Sequence, residues 1–207
     1  MRIRIPLVLA LIASFVPPAL ASMGGSSSPE PASTSRPEVK AGGVLTPRQQ
    51  AEQLYGGAYD DIAKAGLDLA NGKDKNAQKK YRRALDRAAD AVALDSTYFE
   101  AWNLVGYASR KLADYPRSLE AYRRCLVIQP GYAAAREYLG EAYLELGRAG
   151  DAREQLSWLE RLGAADQAKA LSGHIAAWQA AHPDSLVPAP AARPDTAAKA
   201  PAEGSGG

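Results

Sequence analysis

Cysteine is almost missing: a chain of 207 residues holds one, Cys125. A single thiol excludes an internal disulfide and the paired-cysteine spacings that hold zinc or haem. Histidine is nearly as scarce, with His174 and His182 alone. Eight residues apart on one helical stretch, they would stand about 12 Å apart along the axis and cannot share a metal ion. Nucleophile elbow, phosphate-cradling glycine loop and HExxH are absent too. The expected protein is therefore no enzyme and takes no cofactor. His174 borders an apolar stripe and reads as an ordinary packed or half-exposed side chain. Cys125 lies among Leu119, Tyr122 and Leu126 and reads as a compact buried hydrophobe whose thiol is silenced by burial.

No charge sign dominates, with 25 Lys and Arg against 23 Asp and Glu. Residues 1–21 carry a basic start, an apolar stretch from Leu7 to Val16 and Ala19-Leu20-Ala21, which together read as a cleavable export signal. Its removal takes Arg2 and Arg4 and no acid, leaving 23 basic residues against 23 acidic. Such a neutral chain has no electrostatic footprint for nucleic acid. After residue 21 no apolar run reaches the ~20 residues of a spanning helix, and no cysteine follows the signal to carry a lipid. The expected product is exported, periplasmic or secreted, and does not span a membrane. Residues 22–45 are rich in Ser, Pro and Gly, and 183–207 in Pro, Ala and Gly. Both read as disordered, a linker and a tail that bury too little apolar surface to offset ordering entropy.

Between these ends the chain repeats. Residues 101–122, "AWNLVGYASRKLADYPRSLEAY", return as 135–156, "AREYLGEAYLELGRAGDAREQL", at a shift of 34. The matches fall at packing positions: Val105 over Leu139, Gly106 over Gly140, Ala108 over Ala142, Leu112 over Leu146. Trp102, Val105, Ala108, Ser109 and Leu112 recur at helical spacing and form one stripe. Asp114 caps a second helix whose stripe is Ser118, Tyr122, Cys125 and Leu126, and Pro130-Gly131 stops it. Two helical pairs with one packing plan account for this layout.

The pattern "W..VG" followed by "S...Y..C....P" resembles the tetratricopeptide repeat through Trp102, Gly106, Tyr122 and Pro130. Ser109 stands where a tyrosine is usual, and Ser118 and Cys125 replace alanines. In the next unit Leu139, Gly140, Tyr143, Gly147 and Ala152 match, while Arg136 replaces the tryptophan and Ala164 the proline. The resemblance covers about residues 46–182.

The opening pair departs from the period. Gly72, Ala77 and Tyr81 align with the next unit at a shift of 41, whereas Leu85, Val92 and Leu94 align at 34. The extra seven residues are two turns, which lengthen a helix without changing its buried face. Its partner starts at Thr46-Pro47 with Gln49, a capping box and first-turn proline, and continues through Ala51, Leu54, Tyr55, Ala58, Tyr59, Ile62, Ala65 and Leu69. After Gly163 a lone amphipathic helix at 166–182 presents Ala168, Leu171, Ile175 and Trp178, as the exposed end of a solenoid requires. The expected fold is all-α: a right-handed solenoid of three antiparallel helix pairs, about 46–95, 97–130 and 132–163, with the first pair lengthened and a capping helix last.

The resemblance implies that the first helices of successive pairs line a concave face that binds a protein or peptide. On it the water-facing candidates are Asp60, Lys64 and Asp68, then Glu100, Asn103, Tyr107, Arg110 and Lys111, then Glu137, Glu141 and Glu145. The three glutamates, four residues apart, form an acidic stripe that Arg110 or Lys111 partly neutralises and that points to a basic partner segment. The Lys and Arg with which some relatives clamp a carboxylate are absent, their region being held by Ala134, Glu137 and Tyr138. The run "KDKNAQKKYRR" places Lys75, Lys79, Arg82 and Arg83 on an outer face that reads as solvated. The expected function is a non-catalytic adaptor or scaffold of the periplasm or cell envelope. The alternative is a structural module for self-association or envelope contact through the convex basic face; nothing in the sequence marks a homo-oligomer.

Overall fold

The computed structural model describes residues 44–183. The expected signal segment, and nearly all of the expected linker and tail, lie outside the described residues. From Thr46 onward the described chain is seven helices with no strand among them: α1 Pro47–Ala70, α2 Asp74–Leu94, α3 Phe99–Lys111, α4 Tyr115–Ile128, α5 Ala133–Glu145, α6 Ala149–Arg161 and α7 Ala165–Ala181. Helices α1 and α2, of 24 and 21 residues, exceed the 13 or 14 of the next four. The expected fold, three pairs with the first lengthened and a closing helix, is the one that forms.

The local signals act as their chemistry requires. Thr46 N–H donates to Gln49 Oε1 at 2.9 Å and Gln49 N–H donates to Thr46 Oγ1 at 3.2 Å, closing the capping box. Asp114 Oδ1 accepts from Arg117 N–H at 3.3 Å and caps α4. Helices α1, α3, α5 and α6 all end in one way: Lys73, Asp114, Arg148 and Ala164 donate their N–H back to Asp68, Ser109, Tyr143 and Leu159 carbonyls at 2.7–3.0 Å. The residue just before each donor is left-handed, with φ of 69° at Gly72, 62° at Ala113, 74° at Gly147 and 68° at Gly163. Helices α2 and α4 stop differently, at Asp95 and Gln129, whose carbonyls accept from the Tyr98 and Tyr132 N–H groups.

Inside the first pair, Ala51, Ala58 and Ala65 of α1 and Ala77, Ala84, Ala88 and Ala91 of α2 are fully buried, so two long helices meet along a seam of methyl groups. Asp61 is buried with them at 1 % exposure. It accepts from Arg83 Nε at 2.7 Å and Arg87 Nη1 at 2.8 Å, and Arg87 Nη1 also donates to the Gly57 carbonyl at 3.0 Å. The hydrogen bond from Arg83, ahead of the opposing cost of burial, holds the Asp61 carboxyl below its ordinary range. The basic run of α2 is therefore only in part the solvated face read from the sequence. Lys75, Lys79, Arg82 and Arg83 are exposed, but Arg83 reaches in to pair with the buried Asp61, and Lys80 pairs with Asp68. Asp68 is correspondingly buried, and is not the water-facing residue the helical wheel gave.

Two buried clusters run through the described residues, one over α1–α3 with Ala121 of α4 and one over α4–α7, and Trp102 packs against both. Gly106 permits the closest approach: a Cβ there would stand 2.6 Å from the Tyr122 ring, and one at Gly140 would stand 2.6 Å from Leu171. Leu139, Tyr143 and Ala152 are buried in the second cluster. Leu171 and Ile175 of α7 close it, packing on α5 and α6.

Candidate functional site

Helix α3 touches both α1 and α5, so the first helices of the three pairs share one face. Eight residues of the thirteen-residue α3 are buried, among them Asn103 and Arg110. That corrects the expectation for both, which placed them in water. The Arg110 side chain is 1 % exposed and donates from Nη1 to Glu141 Oε2 at 2.6 Å and Glu145 Oε1 at 2.8 Å. Burial opposes its charge, but Glu141, then Tyr122 and Glu145, outweigh it and hold the guanidinium above its ordinary range. Two of the three stripe glutamates thus share one inward arginine, which balances one of their two charges.

Glu137 is not. It has no ion-pair partner among the described residues, and burial, with Glu141 second, pushes its carboxyl up to about 7 against the pull of Arg110. Lys111, beside Arg110 in the chain, is half-buried with Nζ 5.3 Å from the Tyr107 ring centre. Burial and then Arg110 lower its pKa. Tyr107 packs edge-on against Tyr138 at 5.1 Å and tilted against Tyr81 at 6.4 Å. Thus Tyr107, Arg110, Lys111, Glu141 and Glu145 form one cluster across α3 and α5, with Glu137 in the same electrostatic field. Lys64 does not join it, since it is exposed and its ion pair, at 3.9 Å, is with Asp60 on its own helix.

The signature residues of the repeat hold the face in place. Trp102 Nε1 donates to the Ser96 carbonyl at 2.9 Å, and Gly106 gives its carbonyl to Ser118 Oγ at 2.9 Å. Pro130 offers its carbonyl to Arg136 Nε and Nη2 at 3.1 and 2.7 Å. Cys125 is fully buried, and burial pushes its thiol up to about 12, which leaves it no reactive thiolate. His174 is exposed.

Sequence reasoning overlooked a belt of tyrosine. Tyr55 of α1 lies 5.1 Å from the Tyr98 ring and 6.4 Å from Tyr59, while Tyr132 meets Phe99 edge-on at 5.0 Å. Of the two tyrosines on the apolar stripe of α1, Tyr55 packs against the first cluster, whereas Tyr59 is 37 % exposed. A signal was present: all ten tyrosines of the chain fall between residues 55 and 143.

No protein-family model matches this chain, and no curated protein matches it. Among solved structures, the chain is similar to the Type III secretion translocator chaperone SycD of Yersinia enterocolitica, at 17 % identity over 64 % of this chain and 94 % of that one, with a TM-score of 0.51. The fold is a tetratricopeptide-like helical repeat. A second structure, MamA, is similar at 16 % identity over 58 % of this chain and 88 % of that one, but its TM-score of 0.38 is too low to bear on the fold. Among the described residues no helix is long and apolar enough to cross a membrane.

Proposed function

We propose that this chain is a non-catalytic adaptor of the cell envelope that holds a segment of another protein against the face formed by α1, α3 and α5. The observation that carries the reading is polar chemistry left unmatched on that face. Glu137 lacks a cation, and the Asn103 Oδ1 acceptor is buried without a donor. A helical repeat stabilises itself through its apolar seams and needs no such groups on its open side. SycD, described as a chaperone, supports the reading at the level of fold. The alternative, contact through the basic face of α2, loses Arg83 to Asp61 and retains the exposed Lys75, Lys79 and Arg82.

Site-specific photocrosslinking in intact cells tests this. A crosslinking residue at Tyr138 should capture a partner, whereas one at Arg124, exposed on α4, should not; capture only from Arg124 overturns the assignment. Export is tested by N-terminal sequencing of the mature product, expected to start at Ser22, and a retained Met1 in the cytoplasm would refute it.

A further inference from the structure

Two acceptors lie about one helical turn apart near the start of α3. Glu100 Oε2 and Asn103 Oδ1 are both buried, and neither receives a hydrogen bond. Asn103 is 5 % exposed. An unmet buried acceptor costs about 1–3 kcal/mol, and more when charged. Glu100 sits in the first turn of α3, where the helix N-terminus favours a negative charge, but that field supplies no donor to Oε2. Cations elsewhere on the face do not fill the role: Arg110 is committed to Glu141 and Glu145, and Lys111 lies eight residues beyond Asn103, about 12 Å along the helix.

Aromatic rings from α1 and α5 pack on α3 and its lead-in where the acceptors stand: Tyr55 lies 5.1 Å from the Tyr98 ring, Tyr132 meets Phe99 edge-on at 5.0 Å, and Tyr138 meets Tyr107 at 5.1 Å. The Tyr55 phenol is raised by burial first and then by Tyr98, Glu100, Tyr59 and Tyr138. Tyr132 is raised by burial and then by Tyr55, Cys125, Glu100 and Tyr138. Both phenols thus feel the charge of Glu100, which follows Phe99 directly in the chain. The cluster already stacks one cation: Arg48 lies 3.8 Å over the Tyr98 ring, but its nitrogens are given to Asp95 and Glu52. A carboxylate and an amide oxygen walled by phenol rings match a cation that carries several N–H donors.

We propose that Glu100 and Asn103, walled by Tyr55, Tyr132 and Tyr138, form the subsite for a lysine or arginine side chain of the bound protein segment. The proposal rests on the adaptor reading above and adds to it the residue that is read. The occupant is a protein segment, because Tyr107 and Tyr138 continue the face along α3 and α5 to receive flanking side chains, and Glu137, which has no ion-pair partner among the described residues, adds a further hydrogen-bonding group for a basic stretch.

The test is a display selection of randomised ten-residue peptides on the folded full-length chain, followed by fluorescence anisotropy on the selected sequences. One position should select lysine or arginine. Replacing that residue by norleucine should weaken binding at least about tenfold. Glu100→Gln should weaken the basic peptide similarly and leave the norleucine peptide unaffected. The norleucine comparison on the unaltered chain keeps the test decisive if the variant fails to fold. Selected peptides that need Tyr138 but show no basic preference overturn the subsite and spare the adaptor reading, whereas failure to select any peptide overturns both. Zero-length carbodiimide coupling identifies the occupant. A bond from Glu100 to the peptide lysine supports the proposal, and a bond to Lys199 of the same chain or to a lysine of a second copy overturns it.

Discussion

At the scale of single residues, the two units solve one problem with different side chains. Trp102 anchors α3 by donating to the carbonyl six residues before it, at Ser96, and Arg136 anchors α5 by donating to the carbonyl six residues before it, at Pro130. The apparent loss of the repeat tryptophan is a substitution of one flat donor by another. Arg136 is 7 % exposed, with its guanidinium 4.2 Å over the Trp158 ring and 3.3 Å from Gln155 Oε1. Arg136→Ala removes the stack and leaves the Pro130 carbonyl without these donors, so it should cost about 2–3 kcal/mol by chemical denaturation. Arg136→Trp should recover most of that loss, and an equal loss in both variants would refute the equivalence. Glu137 makes a prediction of the opposite kind. Its carboxyl is raised to about 7 when folded, against about 4.3 in an unfolded chain. The folded state therefore holds a proton that the unfolded chain has shed, and stability falls as pH rises from about 4 to about 7. Glu137→Gln should melt with the unaltered chain at pH 4 and above it at pH 8, by roughly 1–2 kcal/mol after allowing for the side chain's partial exposure. A difference that does not change with pH would contradict the assignment.

At the scale of elements, the sequence was legible because turns and stripes carry their own chemistry. The capping box at Thr46, the Asp114 cap, the stop ahead of Pro130-Gly131 and the seven-residue lengthening of the first pair all formed as the residues require. What separates α6 from that plan is its ending: Gly163 closes it with the left-handed turn that elsewhere joins helices within a pair. This accounts for the missing proline at Ala164. The same turn in the second pair is occupied by Ala113 at φ 62°, a conformation that costs a Cβ about 1–2 kcal/mol. Ala113→Gly relieves that cost and adds some unfolded-chain entropy, for a net gain of about 0.5–1 kcal/mol. Seven residues earlier the sign reverses. Gly106→Ala would drive its Cβ to 2.6 Å from the Tyr122 ring, a ring that is fully buried and has nowhere to move, so about 1–3 kcal/mol should be lost. Thermal unfolding of the two variants checks both signs, and a stabilising Gly106→Ala would mean that α3 and α4 are less tightly apposed than this.

At the scale of the whole molecule, the site was less legible than the fold, for a reason of geometry. A helical wheel divides a helix into a buried side and a wet side, but α3 packs against α1, α2, α4 and α5, which leaves little of it to water. Asn103 and Arg110 fall on the nominally wet side and are buried there by neighbours distant in sequence. Asp61 and Asp68 likewise vanish into ion pairs with α2 that no local pattern announces. Arg110 has a role at this scale, because its contacts to Glu141 and Glu145 tie the second pair to the third, where α3 and α5 adjoin. In a stack whose units touch only their neighbours, stability is a sum of unit and interface contributions, and weakening one interface uncouples what lies beyond it. Arg110→Met keeps the volume and removes the charge, leaving Glu141 and Glu145 to repel across one turn. It should cost about 2–3 kcal/mol, since removing one partner strands the other's charge, here partly relieved by solvent at Glu145. Native-state hydrogen exchange locates the loss. Amides of α5, α6 and α7 should exchange faster while those of α1 and α2, held by their alanine seam and by Asp61, keep their protection. Uniform acceleration through all seven helices would show that the described chain unfolds as one cooperative block and that Arg110 is not the joint between its halves.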